Sequence, residues 1–118
     1  MAAKGSVGGG KRPPLSTLTV VLMDSTDALP HWAQQVSFNV STTVTTEPHV
    51  NVTCSQSGVV VYGTTTGYYP TYPWPWTQVM TLSSQDWSAG AADCVAVLWY
   101  ADGVKVVTLT TMSFHVYE

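Results

Sequence analysis

The chain is short of charge, lacks isoleucine altogether and has no segment that repeats with a helical period. Only 9% of its 118 residues are Asp, Glu, Lys or Arg, where a soluble domain ordinarily carries about a quarter. Charge keeps small domains apart in solution, so this surface points to a chain covered by partner subunits or living outside the cell. Cations are the scarcest: after Arg12 only Lys105 remains, against Asp24, Asp27, Glu47, Asp86, Asp93, Asp102 and Glu118. Nucleic acid is thereby excluded as the principal ligand, because phosphate contacts need clustered Lys and Arg. No apolar run follows the start Met1-Ala2-Ala3-Lys4, so no signal peptide is expected, and no stretch is long enough for a membrane-spanning helix.

The groups that usually carry chemistry are equally sparse. His31, His49 and His115 stand singly, without the spacing of a metal-binding pair, and the two cysteines, Cys54 and Cys94, do not form a zinc knuckle. No Gly-x-Ser-x-Gly elbow is present, and the glycines of residues 5–10 neither follow a strand nor open a helix. Asp93 beside Cys94 would raise the thiol pKa rather than activate it. The expectation is a non-enzymatic protein with no metal and no cofactor. The cysteines are open to two readings, a disulfide closing a loop of about 40 residues or two small buried apolar groups.

What is present is β-forming sequence behind a basic arm. Residues 1–16 are Gly-rich and then Lys11-Arg12-Pro13-Pro14, too poor in apolar groups to offset their ordering entropy alone. Lys4, Lys11, Arg12, Pro13 and Pro14 are its candidate binding residues, held in a groove of another subunit by main-chain hydrogen bonds. Residues 17–118 form the body, where Val and Thr make stiff β-branched strands. Period-2 alternation and turn residues place strands over 17–23, 34–42, 49–56, 59–62, 77–83, 91–100 and 104–117. Val36, Phe38 and Val40 face in on the second, Val50, Val52 and Cys54 on the third, Cys94, Ala96 and Leu98 on the sixth, and Met112, Phe114 and Val116 on the seventh. Ala101-Asp102-Gly103 reads as an Asp-Gly hairpin turn.

Seven short alternating strands predict an all-β, Ig-like two-sheet antiparallel β-sandwich with an extended N-terminal arm. The third and sixth strands would stand where strands B and F of such a sandwich meet across the core, bringing Cys54 and Cys94 together. The sixth strand also carries Val95, Val97 and Trp99 on its other face. That apolar row is either covered by the last strand or the arm, or packs against a neighbouring subunit. Trp32 and Trp87 are expected to cap the two ends of the sandwich.

The segment Gly67-Tyr68-Tyr69-Pro70-Thr71-Tyr72-Pro73-Trp74-Pro75-Trp76 sets five aromatics on a proline-stiffened stretch that cannot run through the middle of a sheet. Tyr68, Tyr69, Tyr72, Trp74 and Trp76 fit three roles: a lid on the open end of the sandwich, a contact with a neighbouring protein, or a platform for sugar rings.

Several stretches resemble small Ig-like virion proteins of actinobacterial viruses, of the mycobacteriophage sort. They are Val36-Ser37-Phe38-Asn39-Val40-Ser41-Thr42-Thr43, the loop Tyr72-Pro73-Trp74-Pro75-Trp76, Leu82-Ser83-Ser84 with Trp87, Gly90-Ala91-Ala92-Asp93-Cys94-Val95-Ala96-Val97-Leu98, and Ser113-Phe114-His115-Val116-Tyr117. The resemblance implies a minor tail protein or capsid decoration, present in many copies, assembled in the host cytoplasm and extracellular as part of the particle. Other tail or capsid subunits would be its partners, with host cell-surface glycan as a further ligand and no membrane insertion. Antibody-type domains differ in placing Tyr where Ala92 stands and a core Trp on strand C, and in having a longer Cys-to-Cys spacing. A secreted carbohydrate-binding module that uses the aromatic loop is the alternative reading.

Overall fold

The computed structural model describes residues 15–67 and 79–118. They form seven strands: β1 (Ser16–Leu22), β2 (Gln35–Thr42), β3 (His49–Gln56), β4 (Val59–Gly67), β5 (Met80–Thr81), β6 (Ala92–Asp102) and β7 (Lys105–Val116). All ladders between them are antiparallel, in one sheet ordered β1-β2-β5 and another ordered β4-β3-β6-β7. No helix occurs among the described residues. This is the expected β-sandwich, with β2, β3 and β6 at the positions of strands B, C and F and the fourth strand in the larger sheet.

Local chemistry explains that placement of β4. Ser57 and Gly58 both have positive φ, 50° and 81°, between paired Gln56 and Val59. Two such residues make a tight hairpin whose twist matches the flanking strands, so β4 folds straight back onto β3. The strand is longer than its alternation suggests and runs on through Gly63, Thr64, Thr65 and Thr66 to Gly67. The fifth strand is shorter than expected, two residues instead of 77–83, and part of that range lies outside the described residues. β1 begins at Ser16, whose hydroxyl meets that of Thr42 at 2.8 Å, so the body starts one residue inside the stretch assigned to the arm.

The cysteines do not meet across the core. Cys54 and Cys94 lie directly opposite each other on neighbouring strands of one sheet, joined by a disulfide with a Cα separation of 4.0 Å. Such closeness belongs to the non-hydrogen-bonded pairs of an antiparallel ladder. Alternation correctly turned both side chains inward but assigned the third strand to position B, whereas it occupies position C beside strand F. The short spacing between the cysteines follows from this, because only β4, the connecting segment and β5 intervene.

The core is built from the inward residues of both sheets: Val36 and Phe38 from one, Val50, Val52, Cys54, Ala96, Leu98 and Val116 from the other, all essentially without solvent contact. Phe38 and Phe114 meet edge to face across the layers at 6.3 Å. Trp87 is the largest buried side chain, and it comes from the β5–β6 loop instead of strand C. Its indole donates to the carbonyl of Gly90 at 2.9 Å, and its ring stands edge to face with Tyr62 at 5.7 Å. Trp32 donates its indole N–H to the carbonyl of Trp87 at 2.9 Å, so the two tryptophans close the same end of the sandwich, not opposite ends.

Two details shape the edges of the larger sheet. The register slips between Cys54 and Ser55, leaving Val61 of β4 unpaired with β3, and again between Leu98 and Trp99, leaving Leu109 of β7 unpaired with β6. Each is a β-bulge on an edge strand. At the β6–β7 hairpin, Asp102 pairs with Lys105, so the turn is made by Gly103 and Val104, with Gly103 at φ 63°. The expected Asp-Gly turn is thus displaced by one residue, because glycine takes the first central position, as in type II′.

Candidate functional site

The residues nominated for the arm, Lys4, Lys11, Arg12, Pro13 and Pro14, and those of the aromatic loop, Tyr68, Tyr69, Tyr72, Trp74 and Trp76, lie outside the described residues. Of the nominated groups, the structure brings together Cys54 and Cys94. Among the described residues no group of three or more His, Cys, Asp or Glu is arranged to hold a metal ion.

The described surface with the most distinctive chemistry is the outer face of the four-stranded sheet. Residues of β6 alternate between the core, with Ala92, Cys94, Ala96 and Leu98 buried, and the opposite face, with Asp93, Val95, Val97 and Trp99. Val95 is 44% exposed, and Ala101 continues the row toward the hairpin. Spacing of about 3.3 Å per residue makes Val95 to Ala101 an apolar row about 20 Å long, down the middle of a sheet.

Ladder register sets polar but uncharged groups on both sides of that row. Thr53 and Asn51 of β3 stand opposite Val95 and Val97, while Ser113 and Thr111 of β7 stand opposite them on the other flank. Beyond β3 follow Gly63 and Thr65 of β4. The Asn51 amide donates to the Thr65 hydroxyl at 2.8 Å, and the Thr53 hydroxyl donates to the Asn51 carbonyl oxygen at 3.3 Å. A chain of side-chain hydrogen bonds thus holds the polar flank flat, and a side chain at Gly63 would meet nothing within 4 Å. The central part of this face, from Val95 to Trp99, carries no Asp, Glu, Lys or Arg on any of the four strands.

Its two ends differ. At one end His49 stacks on Trp99, ring centroids 4.5 Å apart at 21°, and lies over Gly67 so closely that a Cβ there would come within 2.6 Å of the imidazole. A side chain at this position would therefore push the His49 ring off its stack on Trp99. At the other end Asp93 and His115 face each other, Oδ1 to Nδ1 2.7 Å, and share a hydrogen bond.

Such a surface suits contact with another uncharged surface. Apolar area gains about 25 cal/mol per Å² when covered, and neutral hydroxyls and amides cost far less to desolvate than ions. The reading of the sequence found Val95, Val97 and Trp99 but not their flanks. Outward positions of β3 and β7 were visible as Asn51, Thr53, Thr111 and Ser113, yet their meeting beside β6 required the strand order. No protein-family model, curated protein or solved structure was found to match the chain.

Proposed function

We propose that this chain is a non-enzymatic structural subunit of a bacteriophage particle, a minor tail protein or capsid decoration, seated against neighbouring subunits through the outer face of its larger sheet and anchored by its N-terminal arm. The observation that carries the reading is the row Val95, Val97 and Trp99, flanked by neutral Thr, Ser and Asn and free of Asp, Glu, Lys and Arg along its centre. The resemblance to small Ig-like virion proteins supplies the setting. A buried disulfide accords with a particle that persists outside the cell, since reducing cytosol keeps thiols apart and oxidation follows release.

The test is incorporation into particles. Val97→Lys puts a charge in the centre of the face, and removal of residues 2–14 takes away the arm. Each is expected to abolish incorporation while the melting temperature of the isolated protein stays near that of the parent. Normal incorporation of both variants would defeat the reading.

A carbohydrate-binding module remains the second reading. It is favoured by the stack of Trp99 and His49 beside Gly67, the residue from which the chain enters the aromatic segment. On this reading the parent binds cell-wall glycan and Trp74→Ala with Trp76→Ala loses it. A parent that binds none removes it.

A further inference from the structure

We propose that the end of β7 is held by a proton-dependent latch, built from His31 and Asp27 on the loop after β1 and closed around Tyr117. The backbone carries the first part. Tyr117 donates its N–H to the carbonyl of Pro30 at 2.9 Å, and Trp32 donates to the carbonyl of Tyr117 at 2.7 Å. These two bonds form a lone parallel bridge between residues 31 and 117, outside both sheets. Two bonds without a ladder behind them need reinforcement, because backbone at a strand end frays readily.

His31 provides it. Its Nε2 lies 2.6 Å from the Asp27 carboxylate and its Nδ1 3.0 Å from the backbone oxygen of Glu118. Both neighbours only accept hydrogen bonds, so both contacts are made at once only when each ring nitrogen carries a proton, that is, as imidazolium. Asp27 is itself fixed by the Leu29 N–H, 3.0 Å from its other oxygen. The ring of Tyr117 sits between two imidazoles, 5.9 Å from His31 and 4.7 Å from His115. His115 in turn meets Asp93 of β6. Around His31, the titratable groups are therefore Asp27 on its own loop, Glu118, Tyr117 and His115 on the β7 segment, and Asp93 behind them.

The latch has a definite working range. The Glu118 backbone oxygen and, after it, the Asp27 carboxylate hold the pKa of His31 above the ordinary 6.5. The hydrogen bond from His31, followed by that from Leu29, holds Asp27 below 3.8. A raised histidine contributes stability that is complete below 6.5 and lost as pH climbs through its folded value. A depressed carboxylate contributes stability above 3.8 that is lost as pH falls through its folded value. The latch is closed between those limits. On the alkaline side the proton leaves for bulk water, and one ring nitrogen then turns a lone pair toward an oxygen. Val116, wholly buried next to the bridge, marks where the loosening stops.

The experiment follows the His31 ring by NMR in the full chain, together with amide protection factors, between about pH 5 and 8. The His31 midpoint is expected above 6.5, and Asp27→Asn is expected to lower it. Protection at Trp32 and Tyr117 should fall about twofold to fivefold through that titration, the scale of an exposed ion pair, while Val52 and Ala96 keep theirs. In His31→Gln the step should vanish. A midpoint at or below 6.5, protection indifferent to the titration, or a step that survives in His31→Gln would overturn the latch.

Discussion

The two ends of the sandwich are built on different principles. At the end where β1 leaves and β2 begins, loops are tied to one another by side chains. Gln56 donates to the carbonyls of Ala89 and Ala91 at 2.9 and 3.1 Å, Ser84 donates to the carbonyl of Val61 at 2.6 Å, and Trp32 reaches Trp87. The disulfide and the His31 bridge lie toward this same end. At the opposite end stand the start of β1, where the arm attaches, the 43–48 turn and the β6–β7 hairpin, with Val104 fully exposed and Val106 68% exposed. Val59 and Val60 are exposed at the tied end as well, so the two ends differ in the side-chain bonds that join one loop to another, not in the apolar groups left in solvent.

That contrast can be broken at the tied end, and the largest effect is expected from Trp87→Ala. Removing the biggest buried side chain and its hydrogen bond to Gly90 should cost about 3–5 kcal/mol, measured by chemical denaturation. Next comes the disulfide: replacing both Cys54 and Cys94 by Ala should lower stability by about 2–4 kcal/mol, from the loop of about 40 residues it closes. The matching drop in melting temperature is several degrees per kcal/mol for a domain of this size. At the other end, Val104→Ser should change stability by less than about 0.5 kcal/mol, since the side chain touches solvent only. A Val104→Ser variant as damaged as the disulfide variant would erase the distinction between the ends.

The strands were legible because alternation is a local property. Val50, Val52 and Cys54, and Cys94, Ala96 and Leu98, are buried as their period-2 pattern requires. Which sheet a strand joins is not local, and there the sequence misled. Inward-facing cysteines are compatible both with apposition across the core and with direct neighbours in one layer, and the hairpin at Ser57 and Gly58 decided for the second. The far half of β4 was hidden because Gly63, Thr65 and Gly67 offer no hydrophobic period; Gly63 and Thr65 face solvent, Gly67 lies under His49, and the segment is held by pairing with β3. Ser37 is a further exception, fully buried on the side opposite Val36 and Phe38, where alternation expects exposure. Of the candidate site, the apolar row of β6 was readable as a breach of alternation. Its neutral flanks emerged only when β3 and β7 were set beside it.

The paired bulges at Val61 and Leu109 bear on how such molecules can be crowded. Both outer strands of the larger sheet are long and almost uncharged, the kind of border along which separate chains zip into endless ribbons. A single surplus residue in each interrupts the even spacing of amides and carbonyls that a second chain would need. Edge-to-edge fusion of separate molecules into fibrils is thereby obstructed at both borders of this sheet.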